Sequence, residues 1–165
     1  MERHVIAVLV SNVSGVLSRV SGMFTRRGFN IDSLTVGETE SSEFSRITVS
    51  FRGDEATQQQ VVKQVAKLHD VKEVEVLKPQ ETVSRELLLI KVKNDSETRQ
   101  DILAAANVYR AKIIDYSLEA LCCEITGESS KVEAFIELMK PFGILEMCRT
   151  GLVALERGCN CLKTE

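Results

Sequence analysis

Residues 11–17, Ser-Asn-Val-Ser-Gly-Val-Leu, form a short polar loop with a glycine, set between an apolar run and a stretch with helical spacing. A loop that opens a helix exposes N–H groups with no internal partner at the positive end of the helix dipole, which suits an anion such as a carboxylate. Gly15 permits backbone angles and a close approach that a side chain would block, and the Asn12 amide can donate or accept. A turn glycine with polar neighbours is also ordinary loop chemistry. A second cluster, Arg26-Arg27-Gly28-Phe29-Asn30, reads as a helix C-cap with cations at the negative end of the dipole. Its asparagine leads into the next extended segment.

Catalytic equipment is not apparent. His4 falls on a strand and His69 at a helix end, neither with an evident nucleophile. No dinucleotide-binding glycine pattern, phosphate-binding loop or zinc spacing of cysteines and histidines occurs. The five cysteines, Cys122, Cys123, Cys148, Cys159 and Cys161, are odd in number, and the first two sit in a run that reads as a strand. Reduced thiols in a cytoplasmic protein are expected, not a disulfide framework. A net charge of -3 and a pI near 5.6 argue against nucleic acid as a partner. The longest apolar runs, 5–10 and 87–90, fall far short of the roughly 20 residues a membrane span needs, and no secretory signal is visible.

The elements that must position these residues come in two copies. Residues 4–10 read as a strand, and Val13, Val16, Leu17, Val20, Met23 and Phe24 repeat at helical spacing. Residues 31–39 and then Ile47, Val49 and Phe51 read as two strands joined by a turn. Asp54 is a candidate N-cap for a helix carrying Val61, Val62, Val65 and Leu68, and Val71, Val74 and Val76 close the unit. From Arg85 the order repeats: a strand at 87–92, a helix at about 97–107, strands at 112–118 and 121–126, and a helix carrying Val132, Phe135, Ile136 and Met139. Pro141 and Gly143 stop that helix, and a last strand at 144–148 is expected to be prolonged by Leu152, Val153 and Leu155.

The fold class is therefore α+β, two tandem ferredoxin-like βαββαβ units. The expected boundaries are 1–78 for the first, 79–84 for a linker around Pro79, 85–158 for the second and 159–165 for a tail. Only the first β–α loop holds a glycine; its counterpart at 93–96 does not. In the first strand Ile6, Val8 and Val10 point one way and Val5, Ala7 and Leu9 the other, so the open face or edge of the sheet should meet another domain or subunit.

From Val5 to Arg46 the chain resembles the small, regulatory subunit of acetolactate synthase, in SNVSGVLSRVSGMFTRRGFNIDSLTVGETE followed by SRIT. The resemblance continues in RELLLIKV, AKIID, KVEAFIELMKPFGILE and RTGLVALERG; the tail CNCLKTE matches no part of it, and Ser11 stands where some relatives carry an acidic residue. It implies an N-terminal ACT domain, an effector domain that dimerises, and a C-terminal ferredoxin-like domain. It further implies an effector, usually valine, held between two ACT domains by Asn12, Gly15 and Val16 of one chain with Asn30 and Ile31 of its mate. On this resemblance the chain is not an enzyme and carries no cofactor. Its partner is a catalytic large subunit holding thiamine diphosphate, magnesium and FAD, which it activates and subjects to feedback inhibition. A free-standing ACT sensor acting on another enzyme or a transcription system, or a small enzyme on a ferredoxin-like fold, are the competing readings.

Overall fold

The structure is a computed structural model and describes residues 1–162 of the chain. The described residues divide into two compact units, one of residues 1–83 with 152–162 and one of residues 84–151.

The first unit runs β1 (Glu2–Ser11), α1 (Val16–Arg26), β2 (Ile31–Glu38), β3 (Phe44–Gly53), α2 (Glu55–Ala66) and β4 (Val71–Val76). Its four strands lie in the order β2-β3-β1-β4, every neighbouring pair antiparallel. Alternation along β1 sends Ile6, Val8 and Val10 to the helix side, where they are fully buried with Val20, Phe24, Phe51, Val61 and Val65. The Phe24 and Phe51 rings meet edge to face with centroids 5.8 Å apart. Asp54 caps α2 by accepting from the Thr57 N–H at 2.8 Å. Gly28 ends α1 at φ 70°, the left-handed conformation a C′ glycine supplies. The sequence spacing overreaches at the start of α1, because Val13 and Leu17 are exposed and Val13 lies in the turn before the helix.

The second unit repeats the plan with β5 (Thr82–Lys93), α3 (Arg99–Val108), β6 (Lys112–Tyr116), β7 (Ala120–Gly127), α4 (Ser129–Met139) and β8 (Ile144–Arg149), in the sheet order β6-β7-β5-β8. Leu88, Ile90, Val92, Ile102, Leu121, Cys123, Ile125, Phe135 and Met139 form its core. Burial pushes the Cys123 thiol up to about 11, with Cys122 adding to the shift. That thiol stays protonated and inert. Glu86, almost fully buried, pairs with Arg149 at 2.7 Å, and Arg149 also reaches Glu133 of α4 at 2.6 Å.

The closing segment departs from expectation. Leu152, Val153 and Leu155 do not prolong β8; Val153–Glu156 is a separate strand, β9, paired with β5, whose first residues Thr82 and Val83 belong to the first unit. Leu152 and Ala154 are buried against Ala7 and Leu77, on the face of the first sheet away from its helices, with Val5 and Leu162 alongside. The sequence expectation is that this open face, or the sheet edge, meets another domain or subunit. The face is covered in part by the chain's own residues 152–162, which belong to the first unit and not to the second.

Candidate functional site

Two β–α loops at equivalent places in the two units differ in chemistry. Each begins with an asparagine after the unit's first strand, Asn12 after β1 and Asn94 at the end of β5. The backbone N–H of each donates across to the following hairpin, Asn12 to the Glu43 carbonyl at 2.8 Å and Asn94 to that of Glu119 at 3.0 Å.

Their side chains are used differently. Asn94 is buried, its Nδ2 donating to the Ser117 carbonyl at 2.5 Å and its Oδ1 accepting from Arg99 Nε at 2.8 Å. Both ends of that amide are spent inside the protein. Asn12 is exposed, and its Nδ2 donates to Glu38 Oε1 and to the Ser42 carbonyl, each at 3.0 Å. Two acceptors on one nitrogen fix the orientation of the amide and turn Oδ1 away from both.

Gly15 follows at φ 83° and ψ -2°, immediately before α1. The start of α1 has no side-chain cap and no acidic residue in its first turn, whereas α3 carries Asp101 in its first turn. The first turn of α1 thus brings no carboxylate of its own to the positive end of the dipole. An ideal Cβ on Gly15 would stand 2.9 Å from Arg19 Nη1, the end of a side chain able to shift, so it is the backbone angle that favours glycine here. Arg19 binds Asp70 Oδ2 through Nε at 2.6 Å and Nη2 at 2.5 Å, and its Nη2 reaches the Ser14 carbonyl at 3.4 Å.

Of the sequence-derived site residues, Asn12, Gly15 and Val16 come together at one end of the sheet. The Val16 side chain is buried in the helix-side core, so only its backbone borders the loop. Asn30 and Ile31 lie elsewhere. Strands β1 and β2 both run antiparallel to β3, and Ile31 aligns through Phe51 with His4, eight positions before Asn12. At ~3.3 Å per residue the two parts are about 26 Å apart within one chain. Asn30 is exposed, its Nδ2 3.4 Å from Asp32 Oδ1, and the Ile31 side chain packs against the core. Sequence reasoning missed Glu38 and Ser42, which orient Asn12, and the Arg19–Asp70 pair. Their partners are 26, 30 and 51 positions away, so no local spacing signals them.

A separate cleft of about 700 Å³ lies beside residues 153–162, bordered by Leu9, Phe44, Arg46, Glu75, Glu156 and Leu162. Among the described residues no group of three or more His, Cys, Asp or Glu side chains is arranged to hold a metal ion. No helix among them is long and apolar enough to cross a membrane.

Two ferredoxin-like units, the first with a glycine loop at an uncapped helix start, define a class: an ACT-type module joined to a second α+β unit. Residues 6–73 match the family model described as an AHAS small subunit-like ACT domain, and residues 85–158 match the model for the small subunit of acetolactate synthase. The chain belongs to the acetolactate synthase small-subunit family, as a regulatory and non-catalytic subunit. It is 48% identical to the probable acetolactate synthase small subunit of Methanothermobacter thermautotrophicus, over 98% of this chain and 96% of that one. It is also 48% identical to the counterpart from Archaeoglobus fulgidus, over 94% of this chain and 98% of that one. The crystal structure of the small subunit from Thermotoga maritima superposes with a TM-score of 0.88 at 44% identity, covering 96% of this chain and 99% of that one.

Proposed function

We propose that the first unit binds valine, or another branched-chain amino acid, between two copies of this chain, and that occupancy restrains a catalytic large subunit which the chain otherwise activates. The observation that carries this reading is the contrast between the two loop asparagines: Asn94 is closed by Arg99 and Ser117, while Asn12 is oriented by Glu38 and Ser42 with Oδ1 facing away from both. A free amino acid offers what such a loop wants. Its carboxylate takes the N–H groups at the α1 start, its ammonium takes the asparagine oxygen, and a branched side chain rests on exposed Val13 or Leu17.

One chain supplies only half of this site. Strand β2 is an edge of the first sheet. Two such edges meeting antiparallel about a twofold axis would set the end of one β2, beside Asn12, against the start of the other. Asn30 and Ile31 of the partner subunit would then complete the site. The thiamine diphosphate, magnesium and FAD that acetolactate synthesis uses belong on the large subunit in this reading.

The deciding experiment is reconstitution. The purified chain alone should form no acetolactate from pyruvate, even with every cofactor present. Titrated into its large subunit, it should raise the rate severalfold, and valine should then lower it. A flat titration would sink the activating role, and a stimulated rate indifferent to every branched-chain amino acid would sink the effector site.

A further inference from the structure

Resting on the reading of residues 12–16 as the effector loop, we infer that Arg19, held by Asp70, is the positioning residue of that loop. The bonds form a closed circuit around it. The Ser11 N–H donates to the Asp70 carbonyl at 2.8 Å, the Asp70 carboxylate holds the Arg19 guanidinium at 2.5–2.6 Å, and the guanidinium returns to the Ser14 carbonyl at 3.4 Å. Residues 11 to 15 are thereby tied to the turn before β4 at one end and to the first turn of α1 at the other.

The guanidinium also fills the space over Gly15 that any side chain there would need, 2.9 Å from an ideal Cβ. It blocks the loop from collapsing toward α1 and fixes which way the Ser14–Gly15 peptide faces. The N–H groups that receive the effector carboxylate are then set before the ligand arrives, and prior ordering of a loop is repaid as affinity. The second unit uses its nearest equivalent, Arg99, to satisfy Asn94 itself and so to close its loop.

Exposure separates this role from a structural one. The Arg19 side chain is 48% exposed, so water screens its charge even though Asp70 is only 15% exposed, and the pair adds only modestly to global stability. Losing it should therefore loosen the loop without unfolding the domain.

The test is calorimetric titration of valine into the full-length chain and its Asp70→Asn, Arg19→Gln and Arg19→Lys variants, with amide exchange over residues 14–17 measured without ligand. Asp70→Asn and Arg19→Gln should bind valine roughly tenfold more weakly and exchange faster at these amides, because each loses charge-assisted hydrogen bonds. Arg19→Lys should fall between, since it keeps the charge but not the planar fork. Unfolding midpoints should stay near the parent's. Unchanged affinity in the first two variants overturns the inference, as does unchanged exchange or an affinity loss that merely tracks a fall in the midpoint. If the parent itself binds no valine, the effector reading fails, and the exchange measurement still decides whether Arg19 orders the loop.

Discussion

Arg46 of β3 donates from Nη2 to the carbonyl of Ala154 on β9 at 2.8 Å, joining two residues 108 positions apart. The bond pins residues 153–156 to the sheet of the first unit, where Leu152 and Ala154 are buried against Ala7 and Leu77. Replacing Arg46 with Met should cost about 1–2 kcal/mol, the loss of a charged donor to a buried carbonyl partly offset by apolar packing. Amide exchange at residues 153–156 should quicken while exchange in α1 and α2 holds; uniform quickening would show that Arg46 supports the whole unit and not this contact.

Glu75 makes the same contact sensitive to pH. Desolvation first, then its hydrogen bond to Glu156 and the negative charges of Glu156 and Glu73, push its carboxyl up to about 7, against the pull of Arg46. Because the folded value lies above the ordinary 4.5, the folded chain keeps a proton that the unfolded chain releases. Stability from this group is full below about 4.5 and is lost as pH rises through about 7. Residues 153–162 should exchange faster at pH 8 than at pH 6, beyond the intrinsic base catalysis of exchange. Glu75→Gln should flatten that difference; an undiminished one would assign the effect to another group.

Gly15→Asp should raise the valine needed for half-inhibition of the holoenzyme by about a hundredfold. A residue other than glycine at φ 83° costs roughly 1–2 kcal/mol, and the new carboxylate competes for the N–H groups meant for the effector. The aspartate also meets Arg19, so an internal ion pair can occupy the site. Asn30→Ala should act in the same direction but more mildly, by removing one polar contact. Rate against valine concentration measures both, with dimerisation checked by light scattering. Unchanged inhibition in a dimeric Gly15→Asp protein would move the effector site elsewhere.

In the second unit Arg149→Met should lower the stability by about 2 kcal/mol, because it removes charge-assisted bonds to nearly buried Glu86 and to Glu133 of α4. Chemical denaturation with a probe in α4 reads this, and a loss under about 1 kcal/mol would mean that Glu86 finds compensation nearby.

The fold was legible wherever one period decided the matter. Val16, Val20, Met23 and Phe24 announce the buried stripe of α1, and the alternation of Ile47, Val49 and Phe51 announces β3. The asparagine and glycine of the first loop were visible as chemistry. Period could not say which sheet the last strand joins, since Leu152 and Ala154 look alike whether they continue β8 or pack on Ala7. Nor could it separate Asn12 from Asn94, because what distinguishes them is Arg99 turning inward and Arg19 turning toward Asp70.

The first unit is built from two stretches of chain, 1–83 and 152–162, and along the sequence the whole of the second unit, residues 84–151, falls between them. During synthesis this reverses the order of completion. The unit that leaves the ribosome first waits with Ala7 and Leu77 bare until the other has been made, so the domain begun earliest is finished last. A nascent chain stalled before residue 152 would carry an exposed apolar sheet face, and holdase chaperones should favour that intermediate over the finished protein.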